Sequence, residues 1–206
     1  KRKISLYHRW RLQTEGRLQP VRGYQDMQYC LEKRCVGGFL TLEDAVPIGS
    51  SLERLHEFYD NGVRLITLTW NYENSVGFPN SERASVMRRG LKSFGKRMVE
   101  EMNELGMIVD VSHLSDGGFW DVAKISKKPF VASHSNARAV TNHPRNLTDS
   151  MIRTIAEKGG VIGINFCPSF LSDKKISTIN GLLRHIYHIY QVGGEDVLAL
   201  GSDLDG

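Results

Sequence analysis

Glu43, His113, His134 and Asp203 are the residues whose types could do chemistry together. Neutral imidazole suits zinc, and two histidines with a carboxylate make a common catalytic zinc set that leaves a position for water. A carboxylate can also bridge two ions. A second carboxylate that is not needed as a ligand can act as general base on the activated water, and Asp203 suits that role. The four lie too far apart in the chain to be a local motif. Each also has a plainer reading: a histidine at a strand end is often only a hydrogen-bonded rim residue, and Glu43 could be a turn or capping carboxylate.

What separates the readings is where the elements place these residues. Short apolar runs recur at residues 38–42, 64–69, 107–111, 129–132, 160–166 and 197–201, with little alternation, as strands buried on both faces read. Helical periodicity lies between them. It covers Ser51–Tyr59 (Leu52, Leu55, Phe58), Leu91–Leu105 (Phe94, Met98, Met102, Leu105), Asp116–Ile125, Thr148–Lys158, and Ser177–Val192 (Ile179, Leu182, Ile186, Ile189). Gly106 is a natural C-cap. Alternation of this kind predicts an α/β protein with a parallel sheet. No Gly-rich phosphate loop follows a strand, which disfavours a dinucleotide fold.

Glu43 follows the first run, His113 the third, His134 the fourth and Asp203 the sixth. The C-terminal ends of parallel strands share one rim, and in a closed barrel that rim carries the active site. The four side chains should therefore converge. The remaining histidines, His8, His56, His143, His185 and His188, read as surface or helix residues. Residues 1–36 are polar and Arg- and Gln-rich, and read as helix or loop outside the alternation.

Composition narrows the classes. Of 206 residues 40% are apolar, and the formal net charge is +4. The basic residues form no single face or run, so nucleic acid is not expected as a partner. Cys30, Cys35 and Cys167 are an odd set with no paired spacing, which gives neither a disulfide framework nor a zinc ribbon and points to a reducing, cytoplasmic setting. No stretch approaches the roughly 20 apolar residues of a membrane span. The chain starts at Lys1 and stops at Gly206 directly after an apolar run, so both ends read as cut.

Several strings in order resemble the membrane (renal) dipeptidase family, peptidase family M19, in the form of its bacterial members. They are Gly90-Leu91-Lys92-Ser93-Phe94-Gly95, Met107 to Ser115 (MIVDVSHLS), Ala132 to Arg138 (ASHSNAR), Pro144-Arg145-Asn146-Leu147 and Gly201 to Gly206 (GSDLDG). The resemblance runs from about Gly38 to the end. It implies a TIM-like (β/α)8 barrel of the metal-dependent hydrolase type, of which this chain holds about strands 3 to 8 as a single incomplete domain over 1–206, with the βα units at 37–206. It further implies two Zn2+ per complete protomer, a bridging hydroxide that attacks a peptide carbonyl, dipeptide substrates, many with a D-residue at the C-terminal side, and a possible homodimer.

By resemblance, Glu43 is the bridging carboxylate and His113 and His134 hold the second zinc. Arg145 grips the substrate carboxylate, and Asp203 handles the proton and meets the substrate amino group. Two features depart from the family pattern. The opening His-x-Asp pair has no counterpart here, so the first two βα units are expected upstream. Where better-known members carry a substrate-binding histidine this chain has Trp70, so Trp70 or Asn71 takes the substrate contact. The sequence leaves two other functions open: a related barrel acting on lactones, phosphotriesters or cyclic amides, and a barrel that has lost catalysis.

Overall fold

The structure is a computed structural model that describes residues 2–174 and 178–204. The expected helix start at Ser177, and Asp205 and Gly206, lie outside the described residues. The chain opens with α1 (Arg2–Gln13), β1 (Leu18–Pro20), α2 (Tyr24–Lys33) and β2 (Val36–Gly38), and β1 pairs in parallel with β2. This corrects the reading of residues 1–36: they already alternate strand with helix. The signal was hidden because β1 is three residues long and α2 exposes Tyr24, Met27, Tyr29 and Leu31.

From there the elements follow the sequence pattern. β3 (Leu40–Glu43), α3 (Leu52–Asp60), β4 (Val63–Thr67), α4 (Ala84–Met87), α5 (Ser93–Leu105) and β5 (Ile108–Asp110) come first. α6 (Asp116–Ile125), α7 (Asp149–Glu157), β6 (Ile162–Ile164), α8 (Pro168–Leu171), α9 (Ile179–Gly193) and β7 (Leu198–Leu200) complete the described chain. β3 pairs with β4 and β4 with β5, and β6 pairs with β7, all in parallel. The strand expected at 129–132 is reduced to two parallel bridges, Asp110 to Val131 and Ala132 to Ile162. These bridges join the two halves of the sheet. Neighbours therefore succeed one another in chain order, without the order reversal of a doubly wound sheet. The described strands do not close into a barrel.

Polar caps and apolar faces explain the helices. Ser51, Ser115, Thr148 and Thr178 each accept a backbone N–H of the first turn of α3, α6, α7 and α9, which satisfies a donor that would otherwise be unpaired. Gly106 ends α5 with φ 70, the left-handed geometry that glycine adopts without a Cβ penalty. Phe94, Met98 and Met102 of α5 are buried as the periodicity requires, and Leu105 packs at the edge. The stripe on α9 is only partly right: Ile189 is buried, but Ile179 is exposed in the first turn.

The core lies between the helices and the strands, with Ile66, Leu68, Val109, Val111, Ile162 and Ile164 facing Leu55, Met98, Phe119, Ile152 and Ile155. Near the rim, a Cβ on Gly163 or Gly201 would meet the Ser133 carbonyl oxygen at 1.9 Å. Only glycine lets these backbones approach so closely, and the approach fixes where the residues after Ser133 emerge.

Candidate metal centre and substrate cleft

Glu43 is the last residue of β3, and His113 and His134 follow β5 and the bridge at Ala132. The sheet brings them together as expected. Glu43 Oε1 stands 3.3 Å from His113 Nε2 and 3.4 Å from His134 Nε2, and the two Nε2 atoms are 2.9 Å apart. Ligands about 2.0–2.1 Å from a tetrahedral zinc stand roughly 3.3 Å from one another. Three electron-pair donors converging at that spacing fit a cation. Glu43, His113 and His134 could hold a metal ion, their ligand atoms lying within 4.8 Å of one another.

The electrostatics agree with this fit. The imidazoles beside it, His113 and then His134, hold the Glu43 carboxyl well below the usual carboxylate range, against the opposing effect of burial. Burial pushes the His113 imidazole below its ordinary value, and the charge of Arg145 adds to the effect. A carboxylate and a neutral ring are the protonation states that a zinc ligand needs. Asp44, His113 and Asp203 adopt left-handed φ of 72, 66 and 58. Strain of this kind costs about 1–3 kcal/mol per residue and clusters where the surroundings impose a functional geometry.

A cleft of about 710 Å³ opens beside these ligands. Glu43 and His113 line it together with Trp70, Asn71, Arg145 and Asp203. Trp70 is exposed, with its ring 6.4 Å from that of His113. Asp203 Oδ2 accepts from Asn165 Nδ2 at 3.1 Å.

Arg145 is 7% exposed. Its Nη2 donates to the His134 carbonyl at 3.1 Å, and its guanidinium lies 5.2 Å from the Phe170 ring centroid. Its Nε is buried without a hydrogen-bond partner, and it makes no ion pair among the described residues. Burial lowers its pKa to about 10 although the charges of Asp110, Asp203 and Glu43 work the other way. A buried cation with an unpartnered Nε and no carboxylate paired to it among the described residues is poised for an anion.

The structure brings forward residues to which the sequence assigned no chemistry. His143 is half-buried and lines the cleft, its ring tilted against that of Phe170 with centroids 4.6 Å apart, and its Nδ1 accepts the Arg145 N–H at 3.1 Å. His185 lies on a helix, as expected of it, and is fully buried there. It is held by Ala137 N–H and the Leu171 carbonyl, both at 3.1 Å. Asp110 is also fully buried, at the end of β5. The available signal was its position inside an apolar run, since a carboxylate there requires donors around it.

The model of the membrane dipeptidase family, peptidase family M19, matches residues 1–206. A Klebsiella pneumoniae protein described only as lying in the pqqA 5′ region is 38% identical over 206 residues, which is 94% of this chain and 74% of that one. The metallo peptidase from Rhodobacter sphaeroides, solved with a phosphinate mimic of the dipeptide L-Ala-D-Ala, is 35% identical with a TM-score of 0.88. A dipeptidase AC structure of family M19 is 35% identical with a TM-score of 0.90. Each superposition covers 98% of this chain and 60% of the solved one, so the chain spans about three-fifths of those proteins. No described helix is long and apolar enough to cross a membrane. By its match along the whole sequence and its likeness to these metallopeptidases, this chain belongs to the membrane dipeptidase family, peptidase family M19.

Proposed function

We propose that the full-length protein is a zinc-dependent dipeptidase on a barrel closed by eight strands. The observation that carries this reading is Arg145, a buried guanidinium with a free Nε that lines the same cleft as Glu43 and His113. Its planar fork pairs bidentately with a carboxylate. The free carboxylate of a dipeptide would dock there, and the distance from fork to metal ligands would limit substrate length. A barrel acting on lactones or phosphotriesters has no use for such a fork. The phosphinate dipeptide mimic in the Rhodobacter sphaeroides relative supports the same substrate class.

Glu43, His113 and His134 would hold zinc, and the chemistry it supplies is Lewis acidity toward the scissile carbonyl and the attacking water. In a two-zinc protomer Glu43, whose carboxylate stands against both histidines, would serve the second ion as well. Asp203 would take a proton from the attacking water, return it to the leaving amine and meet the substrate amino group. Trp70 would pack against the substrate and Asn71 would supply a polar contact at the scissile carbonyl.

The test compares a dipeptide with its C-terminal amide in the parent and in Arg145→Ala. Losing one partner of a buried charge pair costs roughly 2–5 kcal/mol. The variant should lose that much in kcat/KM on the acid, while the amide should be poor for the parent and little worse for the variant. Equal parent rates on acid and amide would reject the dipeptidase reading.

A further inference from the structure

Asp110 accepts four hydrogen bonds. Its Oδ1 takes the backbone N–H of Ser112 at 3.0 Å and of Ser133 at 2.8 Å. Its Oδ2 takes the Thr67 hydroxyl at 2.6 Å and the Ser133 hydroxyl at 2.5 Å. An ionised carboxylate only accepts, so the single proton of the Ser133 hydroxyl is committed to Asp110. The same oxygen lies 2.7 Å from His134 Nδ1. With its proton directed elsewhere, Ser133 Oγ can only accept there, so His134 Nδ1 must carry the hydrogen. The lone pair of that imidazole is then on Nε2, the atom facing Glu43 and His113.

We infer that Asp110 is a positioning residue that acts through Ser133 to fix the His134 tautomer and thereby sets the affinity of the metal centre. The inference rests on the proposed metal reading and extends it to two residues that do not touch the ion. Partners of this kind orient metal-bound histidines and typically contribute 10–100-fold in affinity.

The polarity of the relay gives it a distinctive signature. In Asp110→Asn the two backbone N–H donors on the Oδ1 side require the amide oxygen there. The amide nitrogen is then left facing Ser133, to which it donates. The Ser133 hydroxyl proton turns toward His134 Nδ1, and the imidazole is driven to the Nε2–H form, which has no lone pair for the metal.

The experiment uses the full-length protein stripped of metal. Long-range proton–nitrogen correlation spectra report the His134 tautomer, and zinc affinity is read by competition with a chromophoric chelator. The parent should show Nδ1–H and Asp110→Asn should show Nε2–H. Ser133→Ala should populate both forms, and Ser133→Thr, which keeps the hydroxyl, should restore the parent spectrum. Zinc affinity should fall about 10–100-fold in Asp110→Asn and Ser133→Ala and recover in Ser133→Thr. If Asp110→Asn does not fold, the Ser133→Ala and Ser133→Thr pair decides alone. A parent tautomer of Nε2–H, or Ser133→Ala with the parent spectrum and affinity, would overturn the inference. Retention of full zinc affinity by His134→Ala would instead reject the metal reading beneath it.

Discussion

Arg138 and Asp116 meet as two planar forks, with Nη1 to Oδ2 and Nη2 to Oδ1 both at 2.8 Å. The remaining donors of the same guanidinium hold the loop that carries Arg145. Nε donates to the Asn146 carbonyl at 2.8 Å and Nη2 reaches the Pro144 carbonyl at 3.4 Å. The first turn of α6 is thereby tied to both neighbours of the residue proposed to grip the substrate.

Arg138→Ala should therefore raise the KM for dipeptides roughly 10- to 100-fold, the scale on which small misplacements of a binding group act, with zinc content unchanged. Arg138→Lys should not rescue it, because an ammonium cannot form the fork. Steady-state kinetics beside metal analysis would check this, and an unchanged KM would show that the loop holds Arg145 without the brace.

The metal ligands predict stoichiometry. His113→Ala in the full-length protein should lose at least one zinc per protomer and most of the activity. Full metal content together with full activity in this variant would mean that the convergence of Glu43, His113 and His134 is not a metal site.

For Asp203, substitution by asparagine keeps an oxygen that can accept from Asn165 Nδ2, as the carboxylate does now. Asp203→Asn should hold zinc near the parent level while turnover falls about 10²–10⁴-fold, the usual contribution of a positioned acid–base group. Its pH–rate profile should lose the acidic limb. Retained turnover would remove Asp203 from proton transfer.

His185 links pH to stability. Its Nδ1 accepts the Ala137 N–H, and burial holds its pKa below the ordinary imidazole value. The unfolded chain, with an imidazole near ~6.5, then binds the proton more readily than the folded one. The contribution is fully present above that pH and is lost as pH falls through the window down to the folded pKa. Thermal midpoints of the parent should drop across that window, and His185→Gln should flatten its share of the drop. An identical pH dependence in both proteins would show that His185 stays neutral or is not coupled to folding.

The order of elements was legible because long amphipathic helices and uniformly apolar strands are local patterns. The Phe94, Met98 and Met102 stripe could form only one buried face. The ends of those strands likewise named Glu43, His113, His134 and Asp203, because any parallel sheet collects such ends on one rim. β1 escaped notice because three residues carry no period, and the strand near Val131 was overestimated because an apolar run does not dictate how many ladder bonds it makes.

Residue types and chain order by themselves determined an α/β chain with a metal-capable rim. Tertiary structure alone decided which polar groups are buried together. Asp110, Ser133 and His134 form a relay, and Arg145 is left with an unpartnered Nε, only because strands remote in sequence pass side by side. A hydrogen bond depends on distances of a few tenths of an ångström. No local pattern encodes such a distance, since it is set by how the sheet and the helices behind it pack.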